Sequence, residues 1–232
     1  MDAVSLRFKT PELDAARRVA CDEVLKHFSL PQYELLCFFD DENPREFLDL
    51  GPSYCGFHAV IAKGGLGWPR YIWNLFHDRS GRVTFQNVIY INGRTCSTTP
   101  GTVITLAHEL QHFVQYGFAH KVWLANTLIY DILRDGPPTT IEAWDIPYER
   151  DTTRVSKQVA VHMLGKEAVE AYADAQISAG SDPGKWRAFL RTSNSTPFHL
   201  LEETKLWVEK YRTDLGVLPQ TEIDFTQDKW WR

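Results

Sequence analysis

The chain has 232 residues, 44% of them hydrophobic and 24% charged, with a net charge of −5. That length accommodates one domain with a full core, and the mildly acidic balance supplies no electrostatic pull toward nucleic acid or an anionic membrane. No apolar run reaches membrane-spanning length and Met1 to Arg7 contain no signal-peptide core, so cytoplasmic residence is the default expectation.

Residues 11–28 place Leu13, Ala16, Val19, Ala20, Val24 and Leu25 at helical spacing, which predicts an amphipathic helix. Strands are expected at 33–40, 54–62, 70–77 and 83–92. Gly64, Gly65 and Gly67 lie between two of these and match no phosphate-binding fingerprint, so they read as a loop. Cys21, Cys37, Cys55 and Cys96 are widely spaced, which argues against a disulfide framework or a zinc knuckle. Cys37, inside the apolar run Leu35 to Phe39, reads as a small buried hydrophobe. After the last strand, Thr99 is placed to cap a helix and Pro100 to begin it. Val103, Ile104, Ala107, Leu110 and Val114 then keep helical period up to a stop at Gly117. Further helices are expected at 119–134, 146–163, 166–178, 183–191 and 197–213. Residues 214–232, with Pro219, Phe225, Trp230 and Trp231, read as an extended tail. Strands that cluster ahead of helices make an α+β chain.

Within the predicted helix stands His108-Glu109-Leu110-Gln111-His112, an H-E-x-x-H run. Residues four apart share a helix face, so both imidazoles reach one metal ion. Glu109 projects beside them, placed to take a proton from the attacking water. Catalytic zinc takes three protein ligands and keeps one position open. A third histidine in the metzincin arrangement is ruled out, because Gln115 and Phe118 occupy the positions where it needs Gly and His. His120 follows the helix stop and reads as a surface histidine or one that supports the site from behind. A carboxylate from a second helix is the better candidate. Asp145 followed by Pro147 reads as a helix start, which puts Glu149 in the first turns.

The H-E-L-x-H run together with Pro147, Glu149 and Asp151 resembles the H-E-L-x-H and P-x-E-x-D-A pattern of the small gluzincins, which are zincin-fold metallopeptidases. Thr152 stands where that pattern has Ala. The resemblance covers roughly residues 83 to 165 and implies a small mixed sheet over the motif helix. It implies one zinc ion held by His108, His112 and Glu149, with Asp151 steadying a ligating imidazole through its other ring nitrogen. Glu142 is the alternative third ligand, since Glu142 to Asp145 come one residue short of the E-x-x-x-D element of larger gluzincins. On this view residues 1–232 form a single domain with a metal-site core at 83–165, a helical part at 166–213 and the tail at 214–232.

The expected chemistry is zinc-assisted hydrolysis of a peptide bond, with Glu109 as general base and a protein or peptide as substrate. An oxyanion donor is also needed, and Tyr148, Tyr116, His120 and Arg150 qualify by position alone. His27, His58, His77, His162 and His199 read as ordinary surface or partly buried histidines. Two other classes stay open: a zincin scaffold retained for binding or sensing, and a metal-dependent hydrolase of a non-peptide substrate. An intact Glu109 argues against the first, because a structural metal site needs no general base. Nothing in the sequence sets the oligomeric state or the cleavage specificity. Residues 1–80 and the tail are the expected source of any restriction on substrate access.

Overall fold

The computed structural model describes residues 4–10, 14–41, 55–60, 74–135, 141–192 and 199–211. Four strands form one mixed sheet: β1 (Val4–Phe8), β2 (Leu35–Asp40), β3 (Gly56–Val60) and β4 (Asn87–Asn92), in the order β1-β2-β4-β3. β1, β2 and β4 run parallel, with Val4 opposite Leu35 and Leu35 opposite Asn87. β3 closes one edge in the antiparallel sense, with Gly56 opposite Ile91. β2 and β4 are central and read as near-continuous apolar runs because both faces are covered. Their side chains alternate as strand geometry requires. Leu35, Cys37, Phe39, Ile89 and Ile91 face the helices, while Leu36, Val88 and Tyr90 join Phe57 and Ala59 on the other face.

The helices are α1 (Asp14–Leu25), α2 (Thr99–Phe118), α3 (His120–Asp135), α4 (Pro147–Leu164), α5 (Lys166–Ser178), α6 (Pro183–Arg191) and α7 (Leu200–Lys210). α2 is the central element. Val103, Leu106, Ala107, Leu110 and Phe113 pack into the main core with the sheet, α1 and α4. A second apolar cluster joins Val122, Ile129, Ile146, Tyr148 and Leu200, which seats α3 and α7 against the start of α4. The outcome is an α+β architecture with strands first and helices after, as the order of periodic segments indicates. No helix among the described residues is long and apolar enough to cross a membrane. All four cysteines are buried, and none of them is in a disulfide.

Several local expectations are corrected. β1 is absent from the sequence reading, although Val4-Ser5-Leu6-Arg7-Phe8 alternates with period two. Of the strand expected at 70–77, residues 74–76 are helical and His77 makes only an isolated bridge to Val83. Leu75 and Phe76 cover the outer face of the sheet, a role that a short apolar run fills in a helical turn as readily as in a strand. The final strand is ladder-paired only from Asn87. Thr98, not Thr99, caps α2, its side chain accepting from the Gly101 amide at 3.2 Å. Gly117 does not end the helix, which continues through Phe118. Asp145 belongs to a short 3-10 turn, Ala143–Asp145, and Ile146 is the residue that precedes α4. The glycine loop at 63–67 and the tail at 214–232 lie outside the described residues.

Candidate metal centre

Helix period brings His108 and His112 onto the face of α2 that meets the first turn of α4, where Pro147 fixes the entry and Glu149 follows two residues later. Nε2 of His108 lies 3.2 Å from Oε2 of Glu149, and Nε2 of His112 lies 3.4 Å from Oε1. The ligand atoms of His108, His112 and Glu149 all fall within 4.8 Å of one another. Ligands at zinc bond lengths of about 2.0–2.1 Å, set at tetrahedral angles, stand about 3.3 Å apart. The two histidine-to-carboxylate separations lie close to that value, so the cluster has the spacing of a group that could hold a metal ion.

Behind His112, the ring Nδ1 lies 3.1 Å from Oε1 of Gln115. The Gln115 amide is oriented by its own partners: Nε2 donates to the Tyr148 carbonyl at 3.1 Å and to Oδ2 of Asp151 at 2.9 Å. Its oxygen therefore faces the ring and accepts from Nδ1, which leaves Nε2 as the nitrogen turned toward Glu149. The resemblance implied that Asp151 holds the imidazole directly, but Gln115 takes that place. Asp151 accepts from Gln111 at 2.7 Å and pairs with Arg154 at 3.0 Å, and it steadies His112 through Gln115. Tyr148 is buried with its ring 4.9 Å from that of His112. Thr152, at the position of the motif's Ala, donates to the Glu149 carbonyl at 2.9 Å and sits 3.3 Å from Nε2 of His108.

Burial lowers the His108 pKa to about 4, outweighing the pull of Glu149, so this ring is neutral at pH 7. Burial also works against charge on His112, but the carboxylates of Glu149 and Glu109 overcome it and the net shift is upward. Glu149 is buried too, yet its two histidines hold it well below the usual carboxylate range. Glu109 is the opposite case: burial dominates and lifts its pKa to about 7. A carboxyl poised near neutrality suits a general base, because it accepts and returns a proton with little driving force either way.

Glu142 does not join the cluster. It is exposed and caps the short turn before α4, its backbone amide meeting Asp145 at 3.2 Å. His120 is exposed at the start of α3 and stacks on Trp123, and Arg150 pairs with Glu203 at 3.4 Å. Tyr116 lies among the rings of His58, His120 and Trp123. His58 is held by Asn87 at 2.9 Å and by burial stays neutral, with a pKa near 3, in line with a structural role. Three residues that sequence reasoning did not assign belong to the site's surroundings: Gln115, Thr152 and Lys185. The i to i+3 spacing of His112 and Gln115 is a usable signal for the first. Lys185 arrives from a helix far along the chain, and no local pattern marks it. Comparison of the chain with protein-family models, curated proteins and solved structures finds no match.

Proposed function

We propose that this chain is a zinc-dependent peptidase of zincin-like architecture, with Glu109 as general base. The observation that carries the reading is the placement of both Nε2 atoms against the two oxygens of Glu149, with a buried, near-neutral Glu109 beside them. When bound by His108, His112 and Glu149, zinc would polarise the scissile carbonyl and make the attacking water more acidic. Glu109 takes the water's proton and delivers it to the leaving amine. His108 meets the site already neutral, and Gln115 holds His112 in the tautomer that ligates. The carboxylate Glu149 supplies one negative charge to a divalent cation.

A mixed sheet whose antiparallel edge strand passes over the motif helix supports the zincin comparison. A Cβ at Gly56, the first residue of β3, would stand 3.5 Å from Cγ of Glu109. Among the described residues β3 is an edge strand, so an extended peptide can pair with it and lie across Glu109. A structural metal site gives no reason to bury Glu109, whose desolvation raises its pKa and weakens the fold at neutral pH.

The test is metal content and peptide cleavage in one set of proteins. Wild type is expected to hold about one zinc per chain and to cleave members of a mixed peptide library read by mass spectrometry. Glu149→Ala is expected to lose zinc, Glu142→Ala to keep it, and Glu109→Gln to keep zinc and lose cleavage. Zinc retained by Glu149→Ala, or cleavage retained by Glu109→Gln, would remove the assignment.

A further inference from the structure

A cavity of about 20 Å³ lies against the metal cluster, and its walls include Ile104, Thr105, His108 and Glu109 of α2 and Lys185 and Trp186 of α6. Lys185 is held there by its helix. Asp182 caps α6 by accepting from the Lys185 amide at 3.2 Å, and Trp186 and Phe189 are buried in the main core. The ammonium lies 5.9 Å from the Trp186 ring centroid. Among the described residues it makes no ion pair, although its charge acts on Cys55, Glu109, Cys96 and Glu149, and on His108. Glu149 is committed to the two imidazoles. With a divalent cation held by that cluster and Glu109 ionised, their charges cancel and Lys185 leaves the cavity positive. The volume admits little more than one water, so a group that enters must be as small as a carboxylate. Ammonium to carboxylate is among the stronger polar contacts when partly shielded from water.

We propose that Lys185 makes this cavity a carboxylate-binding subsite, selecting substrates with an acidic side chain or a free C-terminal carboxylate beside the scissile bond. The proposal rests on the peptidase reading for its consequence, but its test does not depend on turnover. The protein is the full chain, zinc-loaded and carrying Glu109→Gln. The probes are N-acetylated hexapeptides of Ala, Leu and Gly in two matched pairs. One pair is C-terminally amidated and carries Asp or Asn at each position in turn. The other has no charged side chain and ends in a free acid or an amide.

Tighter binding of the carboxylate member by about tenfold or more in one pair is expected, and that pair identifies the source of the carboxylate. Adding Lys185→Met should erase the ratio, and Lys185→Arg should restore most of it. Ratios near one in both pairs, or a ratio that survives Lys185→Met, overturn the proposal. If Lys185→Met does not fold, the ratio before that change and its retention in Lys185→Arg still decide. In wild type the same preference should appear in KM. A loss in kcat with no change in the acid-to-amide ratio would make Lys185 an oxyanion donor instead and overturn the subsite. Wild type that binds the acidic peptide but cleaves nothing would retire the peptidase reading while leaving the subsite standing.

Discussion

Nδ1 of His112 donates to Oε1 of Gln115 at 3.1 Å, and the amide of Gln115 is turned that way by Asp151 and the Tyr148 carbonyl. A residue one turn away on the same helix thus fixes the tautomer of an imidazole in the candidate metal cluster. Removing the acceptor frees the ring to rotate and to protonate at Nε2. Gln115→Ala is therefore expected to weaken zinc binding by about 10–100-fold, with His108, His112 and Glu149 intact. Competition against a fluorescent chelator measures this directly. Zinc affinity equal to wild type would show that the imidazole is held by packing on Tyr148 alone.

Thr152 offers the opposite change. Its hydroxyl donates to the Glu149 carbonyl, which leaves an oxygen lone pair for an N–H on His108 Nε2, 3.3 Å away. That contact engages the nitrogen a metal needs. Thr152→Ala, which restores the motif's small residue, is expected to tighten zinc binding by a few-fold, about 0.5–1 kcal/mol. It should also lower stability of the metal-free protein slightly, since Thr152 is fully buried. The same chelator competition applies, and weaker zinc binding in the variant would mean that the hydroxyl supports His108 rather than competing for it.

How much of this was legible in the sequence follows from the range of each interaction. The period of α2, the Pro at its start and the spacing of the two histidines are local, and they place three site residues without further help. Glu149 came within reach because Pro147 marks a helix start two residues earlier. Glu142 was the alternative, but it is exposed and stands just before the short turn that precedes α4, its backbone amide donating to Asp145, a detail that depends on where that turn sits. Asp151 was expected beside an imidazole, yet it pairs with Gln111, Gln115 and Arg154, because two helices meet there at a separation that only packing sets. Lys185 is the extreme case: α6 must fold back beside α2 before the lysine has any relation to Glu109. The misread strand at 70–77 has a different origin, since apolar content alone does not separate a covering helical turn from a strand.

Gly56 sits at the entrance to β3, where the edge strand approaches both its neighbour and the motif helix. A Cβ there would lie 2.7 Å from the Tyr90 carbonyl oxygen and 3.0 Å from Cγ2 of Thr105. The first is backbone of a central, fully paired strand and does not yield cheaply. Gly56→Ala is expected to cost about 1–3 kcal/mol, as overpacking at a close approach does, and to push β3 away from Glu109. Urea unfolding of the metal-free protein checks the stability, and library cleavage checks the site. Stability unchanged in Gly56→Ala would mean that β3 shifts freely and does not fix the upper edge of the cleft.

Glu109 carries the clearest pH signature. Burial raises its pKa from the usual carboxylate range to about 7, so the folded state binds this proton more tightly than the unfolded chain does. The associated stability is fully present below the unfolded value, near 4.5, and is lost as pH rises through the folded value, near 7. At pH 8 the metal-free wild type therefore carries the whole cost of a desolvated carboxylate, which Glu109→Gln does not carry. The substitution also removes a favourable charge from His112, which works against the gain and trims it. The expected balance is a metal-free Glu109→Gln protein more stable than wild type by about 1–3 kcal/mol at pH 8, with the difference closing toward pH 4. Urea unfolding in the presence of chelator at several pH values measures it. A wild type as stable as the variant at pH 8 would mean that Glu109 reaches water, and that it is not the sequestered base the mechanism requires.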